Sequence, residues 1–227
     1  MKKTYIFRAI FYSAGLLLLA LGLTLNTKAN LGVSAVISVS YSISDLFGIN
    51  FGNTTLVLYC LFILIEIFLH MLHHKGNIII TDLLQFPLSL IFTRFINLFS
   101  DVIPDFSDMC NDTLIGNLAG RIMIVLLAVL LTGIGAAMSL NVRLIPNPAD
   151  GVVQVIADTS GKGVGFVKNI FDLCNISFTI LISLVVKSHL VGIGIGTVLS
   201  VVGVGRVIAL FNHFFFKSMK DLAGISE

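Results

Sequence analysis

Residues 20–28 read ALGLTLNTK, and a related stretch at residues 135–143 reads GAAMSLNVR. In each stretch an apolar run ends at an asparagine and then at a cationic residue, which is Lys28 in the first and Arg143 in the second. A short segment rich in small and polar residues follows in both places, before a new apolar run begins. Because the two stretches are about 115 residues apart, close to half the chain, they predict two copies of one membrane unit, each with a broken or re-entrant helix.

The composition excludes an ordinary soluble protein. Of the 227 residues, 56% are hydrophobic and only 11% are charged, and the mean hydropathy is +1.01, whereas soluble domains carry about 25% charged residues. Lipid must therefore cover part of the surface. The formal net charge is only +2 and the basic residues are spread along the chain, so no nucleic-acid partner is expected. The prediction is an all-α polytopic membrane protein.

Six apolar segments are long enough to cross the hydrocarbon core as helices, which takes about 20 residues each. Residues 1–99 are predicted to form the first membrane repeat and residues 118–227 the second, within a single transmembrane domain. The polar, acidic segment 100–117 is the expected linker between them. The six predicted spans are Phe7–Leu25, Asn53–Leu72, Ile78–Leu98, Ile122–Leu140, Phe166–Val186 and Val191–Phe211.

Two further segments look helical but are shorter and more polar than the six spans. The first, Gly32–Phe47, is rich in serine. The second, Asn147–Ser160, carries signals of a helix start: Asn147 suits the capping position and Pro148 the first helical position. Asp150 falls in the first turn, where the helix dipole favours an anion.

The topology depends on whether these two inserts cross the bilayer. If they do not, each half contributes three spans, and this odd number inverts the second half relative to the first. If they do, there are eight spans and the repeats are parallel. The length and polarity of the inserts favour six spans with re-entrant inserts. The distribution of Lys and Arg favours a cytoplasmic N-terminus in either arrangement.

A helix that begins inside the membrane leaves backbone N–H groups unpaired and exposes the positive end of its dipole. Such an end must line protein or a wet cavity, which makes it a candidate ligand site near the middle of the bilayer. The alternative is a surface loop with ordinary capping. The residues predicted to bind substrate lie on or beside the inserts, with one further polar residue from the third span: Asn30, Ser34, Ser38, Asn147, Asp150, Gln154 and Gln85.

Two acidic residues, Glu66 and Asp172, lie inside apolar spans. Charge at membrane depth is costly and usually faces the interior of the protein, so both are candidates for carrying a coupling proton. The alternative is a structural pair within the same helix, of Glu66 with His70 and of Asp172 with Lys168. Two uncharged polar residues within apolar runs are expected to hydrogen bond between helices, with substrate contact as the alternative: Gln85 and Asn175.

Anchoring at the membrane surface has to come from residues other than Trp, which is absent. Tyr5 and Tyr12 are expected to take that role together with Lys and Arg. Arg121 and Arg206 stand close enough to span ends to act as anchors as well.

No pattern of an enzyme, a cofactor or a metal site stands out. Cys60, Cys110 and Cys174 lack the spacing of metal ligands. The glycines at 192, 194 and 196 could be mistaken for a dinucleotide-binding loop, but their apolar setting predicts close helix packing instead. No serine stands on a nucleophile elbow. We therefore expect no catalytic residue, no cofactor and no metal.

Residues 29–34, ANLGVS, and residues 191–199, VGIGIGTVL, resemble the YitT/YczE-like family of bacterial integral membrane proteins. The resemblance covers most of the chain. It implies a small polytopic protein of the bacterial cytoplasmic membrane, whose biochemical role is largely undefined, and it assigns no functional residue. Two positions depart from the family pattern: Ala35 stands where a proline usually follows, and Gly205-Arg206 replaces the usual Gly-Pro.

Together these features predict a secondary transporter or uptake component for a small polar or anionic metabolite, with its site at the repeat interface and alternating access. The expected partners are the lipid bilayer and a small-molecule substrate, and association into a homodimer stays open. A membrane assembly or regulatory partner that transports nothing is the alternative, with a channel as a further one.

Overall fold

The computed structural model describes residues 2–73, 79–107 and 113–224. Ile78, the expected first residue of the third span, and Cys110 in the linker lie outside these ranges. Within them the chain is all-α, with eight helices and no strand. The helices are α1 (Lys2–Lys28), α2 (Ala35–Phe47), α3 (Phe51–Leu72), α4 (Ile79–Val102), α5 (Leu118–Asn141), α6 (Pro148–Ser160), α7 (Val164–Lys187) and α8 (Ile195–Ala223).

Six of the described helices are long and apolar enough to cross a membrane, as the sequence predicts. The two short ones, α2 and α6, have 13 residues each. At 1.5 Å per residue they reach about 20 Å, which is less than the roughly 30 Å of hydrocarbon. The order long, short, long, long occurs twice along the chain. That the halves are internal repeats, bounded by the segment 100–117, stays a prediction.

Two helices start three or more residues later than predicted, and glycine explains both. The last helix begins at Ile195 rather than Val191, because Gly192 has a positive φ of 75° and Gly194 an extended backbone. It also runs on to Ala223, well beyond the predicted end at Phe211. The helix of the first insert begins three residues late, at Ala35, because φ is +101° at Gly32 and a helix cannot pass through that conformation.

Asparagine side chains open three helices. The side chain of Asn50 accepts a hydrogen bond from the N–H of Asn53 at the start of α3, and Asn117 caps α5 through the N–H of Gly120 in the same way. Asn147 caps α6 by accepting from the N–H of Ala149. Each cap supplies an acceptor to a backbone donor that has no partner inside its helix.

The chain divides into two compact units that do not follow the two expected halves. Unit 1 comprises residues 1–34, 98–144 and 194–227, and unit 2 comprises residues 35–97 and 145–193. Unit 1 contains α1, α5 and α8, whereas unit 2 contains α2, α3, most of α4, α6 and α7. Each unit therefore takes helices from both halves of the chain.

Unit 1 is held together by close helix packing at small residues. Gly15 of α1 lies against the backbone of Gly135 in α5, so that a Cβ at Gly15 would be 2.8 Å from the Gly135 carbonyl oxygen. Between α5 and α8, Gly203 makes room for Val129. Val129 belongs to a small core with Ala29 and Val125. Helices therefore approach closely at Gly15, Gly135 and Gly203, whereas Gly194 and Gly196 pack against the loop after α1 rather than against a helix.

Arg121 in the first turn of α5 supports the end of α1. Its Nε donates to the carbonyl oxygen of Ala29 at 2.7 Å, and its Nη2 donates to that of Asn30. These carbonyls follow the last turn of α1, where a helix has acceptors without partners. Tyr12, by contrast, is buried in unit 1 with 8% of its surface exposed, so the prediction that it anchors the protein at the membrane surface is wrong.

The two stretches that carry the family resemblance meet in unit 1. The N–H of Gly196 donates to the carbonyl oxygen of Leu31 at 2.7 Å. Gly194 and Gly32 are in direct backbone contact, so that a Cβ on either one would overlap the other stretch. The segment before α2 is thus joined to the start of α8 by backbone contact, which only glycine permits.

In unit 2, serine hydroxyls hold the short helix α2. Ser38 accepts a hydrogen bond from Thr179 of α7 at 2.8 Å. Ser42 shares one with Ser183 of α7 at 3.0 Å. On the other side of α2, Ser40 accepts from Thr55 of α3. The serine-rich composition of the first insert therefore serves packing between helices, where apolar contact alone gives little preference over lipid.

We predict that Gly196→Ala destabilises the protein by about 1–3 kcal/mol. The new Cβ would lie 2.5 Å from the Gly32 carbonyl oxygen and 3.0 Å from that of Leu31, and neither backbone atom can move alone. Thermal denaturation of the purified protein in detergent measures the effect. Gly205→Ala in the same helix is the control, since its Cβ would meet nothing within 4 Å. Equal melting temperatures for the two variants would refute this account of the contact.

Candidate functional site

A buried polar pair joins α3 to α4 in unit 2. Gln85 donates from Nε2 to Oε2 of Glu66 at 2.7 Å, and only 1% of the surface of either residue is exposed. The predicted hydrogen bond between helices at Gln85 is therefore confirmed. The pair leaves Oε1 of Glu66 and Oε1 of Gln85 buried and without a hydrogen-bond partner among the described residues.

A second buried pair lies one helical turn further along the same two helices. Nδ1 of His70 is 2.6 Å from Oδ2 of Asp82, and both residues are buried. The suggested pairing of His70 with Glu66 is wrong, because each side chain points across to α4 instead of along α3. Asp82 stands in the first turn of α4. The two pairs form adjacent steps between antiparallel helices.

The first turn of α6 packs directly against Glu66. A Cβ on Gly151 would overlap the Glu66 carboxyl group, lying 2.7 Å from Oε2 and 2.8 Å from the carboxyl carbon. Only a glycine at this point allows the carboxyl group to reach the helix backbone. At the cap itself, Asn147 is 3.5 Å from the hydroxyl oxygen of the buried Tyr59. The start of α6 therefore meets the polar face of α3.

Asp172 on α7 brings a second carboxylate toward the same helix start. It is buried and forms the expected pair with Lys168, at 3.8 Å between Nζ and Oδ1. That oxygen has no hydrogen bond within the described residues. Asp150, in the first turn of α6, lies within electrostatic range of both Glu66 and Asp172. Three carboxylates from α3, α6 and α7 thus share one region of unit 2.

Unsatisfied acceptors are concentrated in this region. Along α4, Asp82, Gln85 and Ser89 are spaced three and four residues apart, so they line one buried face. Among the described residues of unit 2, four buried side-chain oxygens have no hydrogen-bond partner: Glu66 Oε1, Gln85 Oε1, Ser89 Oγ and Asp172 Oδ1. Buried polar atoms without partners are rare and require an explanation. The hydroxyls around α2, in contrast, bond to one another.

The remaining predicted site residues fall in other places. Ser38 is bonded to Thr179 as described above. Gln154 is exposed and donates a hydrogen bond to Asp158 one turn further along α6, so its side chain does not bond to Glu66 or Asp172. Asn30 and Ser34 belong to unit 1, where the side chain of Asn30 donates to Ser107. The structure thus brings together Glu66, Gln85, Asn147, Asp150 and Asp172, all within unit 2.

Sequence reasoning missed His70 with Asp82 as a pair, and also missed Ser89 and Gly151. The spacing of Asp82, Gln85 and Ser89 could have indicated a polar face of α4. Asn175 was misjudged, since it donates to the carbonyl oxygen of Phe171 in its own helix rather than to another helix. The group of carboxylates also lies closer to the ends of its helices than a site in the middle of the bilayer would. Glu66 is six residues before the end of α3, or about 9 Å along the axis.

The comparisons with known proteins agree with a membrane protein of undefined activity. A protein of Bacillus subtilis (strain 168), named as the uncharacterized membrane protein YczE, is 26% identical over 210 residues, which cover 92% of this chain and 86% of the relative. No solved structure matches the chain. The model of DUF6198, described as a family of unknown function, matches residues 6–213. The resemblance inferred from the sequence is thereby confirmed, and this YczE-like membrane protein belongs to the DUF6198 family.

Proposed function

We propose that the protein is a secondary transporter that couples the movement of a small polar solute to protons through Glu66. The observation that carries the proposal is the Glu66 carboxyl group, buried among apolar helices with one oxygen bonded to Gln85 and the other free. Ionisable side chains in such positions are expensive and most often serve ion or substrate pathways. A purely structural carboxylate would be expected to have both oxygens satisfied.

The topology that fits this function has six spans and a cytoplasmic N-terminus in a bacterial cytoplasmic membrane. In that arrangement α2 and α6 are re-entrant, and α6 starts from the cytoplasmic side. Gln85 is six residues from the start of α4, and Asp172 is eight residues from the start of α7. If the chain has that orientation, these distances of about 9–12 Å correspond to the third of each helix nearest the cytoplasm, and Glu66 is at a similar depth. Alternating access then requires that Glu66 also be reached from the outer side.

The His70–Asp82 pair is suited to pass protons to Glu66. It lies one turn from Glu66, toward the end of α3. One turn beyond it, His73 is exposed. A histidine ring has two nitrogens, so it can accept a proton at one and donate a proton from the other. A proton could therefore pass from water to the exposed His73, then to the buried His70, and then to the buried Glu66.

The first test is proton movement in proteoliposomes that contain a pH-sensitive dye, screened with amines, amino acids, sugars and carboxylic acids. We expect at least one class of solute to evoke a saturable proton flux, and Glu66→Gln to lower that flux by about 10²-fold or more, because the amide cannot bind the proton. Asp158→Asn, an exposed carboxylate on α6, is the matched control and should keep full activity.

Other outcomes identify the alternative functions. A conductance that rises with solute concentration without saturation would indicate a channel. If no solute moves protons and the protein instead copurifies with one stoichiometric partner, the transporter proposal is wrong and a regulatory subunit is the better description. An active Glu66→Gln variant would exclude this residue as the proton carrier.

We further predict that His70→Gln slows proton flux by about tenfold or more while solute binding persists, because a glutamine can hold Asp82 by a hydrogen bond but cannot exchange protons. His189→Gln, at an exposed histidine of the same unit, is the control. Initial rates and solute-induced thermal shifts separate the two effects. Partial recovery of the rate by added imidazole would support the relay, and an unchanged rate would refute it.

A further inference from the structure

We infer that the acidic site at the start of α6 binds a small organic cation, an ammonium or a guanidinium, which exchanges with a proton at Glu66. The inference rests on the proposed function and names its substrate class. It concerns the carboxylates of Glu66, Asp150 and Asp172 and the free acceptor of Gln85. The sequence left a polar or an anionic metabolite open, and the arrangement of charges in unit 2 favours the opposite sign.

The first argument is the charge of the site. The Asp150 carboxylate acts electrostatically on both Glu66 and Asp172, and among the described residues the ammonium group paired with these carboxylates is that of Lys168, 3.8 Å from Asp172. Asp82 also acts on Glu66, although it is paired with His70. Charges interact far more strongly at low dielectric than in water. A cation bound in this region would stabilise the ionised form of these carboxylates, whereas an anion would be repelled by it.

The second argument is that the positive end of the α6 dipole already has its anions. Asp150 occupies the first turn, and the Glu66 carboxyl group packs on Gly151 in the same turn. Asn147 accepts from the N–H of Ala149, so one of the first backbone donors is also satisfied. A bare helix N-terminus would attract an anionic ligand. In this protein that position is filled by side chains of the chain itself.

The third argument is the kind of hydrogen bond that remains unmade. Because Gln85 donates its amide N–H to Glu66, the oxygen of the same amide is left over as an acceptor. Glu66 and Asp172 each present one further acceptor, and all three residues are more than nine-tenths buried. An ammonium group carries three donors and no acceptor. The three acceptor oxygens without hydrogen bonds therefore match the three N–H donors of an ammonium group.

The side chains of the site also suit an organic cation better than a divalent metal ion. Within the described ranges, no three side chains from His, Cys, Asp and Glu are grouped as a metal would need. An ammonium or guanidinium is held by separate hydrogen bonds and does not require a closed coordination shell.

The cation exchanges with a proton because both bind to the same carboxylate, that of Glu66. The ionised Glu66 carboxylate accepts hydrogen bonds from the cation. When the same group takes a proton it loses its negative charge, and the cation is released. One proton replaces one monovalent cation, so the charge at the site is conserved in each exchange.

The experiment uses the full chain in detergent and follows its melting temperature with three probes of one carbon skeleton: butylammonium, 1-butanol and butyrate. Putrescine, guanidinium and tetramethylammonium extend the cation set. We expect stabilisation by at least one cation and by neither 1-butanol nor butyrate. The apparent affinity should fall about tenfold for each unit of decreasing pH in the range where Glu66 takes up its proton, as competition with one proton requires.

Two variants separate binding from folding. Gly151→Ala displaces the end of the Glu66 side chain, which is flexible, so the protein should fold and melt normally without added cation but lose at least about tenfold in cation affinity. Gly165→Ala on α7, whose Cβ would meet nothing within 4 Å, should bind like the unmodified protein. Glu66→Gln should abolish the dependence of binding on pH.

Each contrary result has one meaning. Stabilisation by butyrate or 1-butanol but by no cation overturns the inference and leaves the transporter proposal intact if those solutes move protons. Cation binding that is independent of pH and of Gly151→Ala also overturns it. Absence of stabilisation by all four cations does the same. Absence of any proton flux with every solute tested overturns the proposed function itself.

Discussion

Hydrocarbon offers no hydrogen bonds, and this constraint governs the polar groups of the described helices. The carbonyls after α1 receive donors from Arg121, and three helices begin at an asparagine whose side chain accepts from the backbone. A polar group left unpaired in lipid costs several kcal/mol, so polar groups at membrane depth need partners within the protein. The few buried side-chain atoms without a hydrogen-bond partner therefore mark positions that are not optimised for stability.

The two short helices meet this constraint in different ways. Around α2, hydroxyls bond to hydroxyls, and Ser38 and Ser42 both have partners on α7. Around the start of α6, carboxylates and an amide keep free acceptors. Hydroxyl pairs are neutral and short, which suits a fixed contact. Carboxylates change charge with a proton, which suits a contact that has to form and break. Under the proposed function, the difference marks the start of α6 as the place where contacts of unit 2 change during transport.

The all-α class, the six long apolar helices and the two short inserts could be predicted because hydropathy and helix length are local properties of the sequence. The pairs Asp172 with Lys168 and Gln85 with another helix were also accessible, the first from its spacing and the second from its polarity in an apolar run. The partner of His70 was not, because spacing along α3 says nothing about which residue of α4 lies opposite. Gly151 looked like an ordinary helix residue, since only the tertiary contact with Glu66 requires a glycine there.

The backbone contact between Leu31–Gly32 and Gly194–Gly196 also bears on how the chain is made. During synthesis at about 5–20 residues per second, the second stretch leaves the ribosome roughly ten seconds or more after the first. The loop that follows α1 can therefore make these contacts only after the start of α8 has been synthesised. Folding of unit 1 is consequently completed only after its last helix, α8, has been translated, and α1 is the helix that has been in place longest by then.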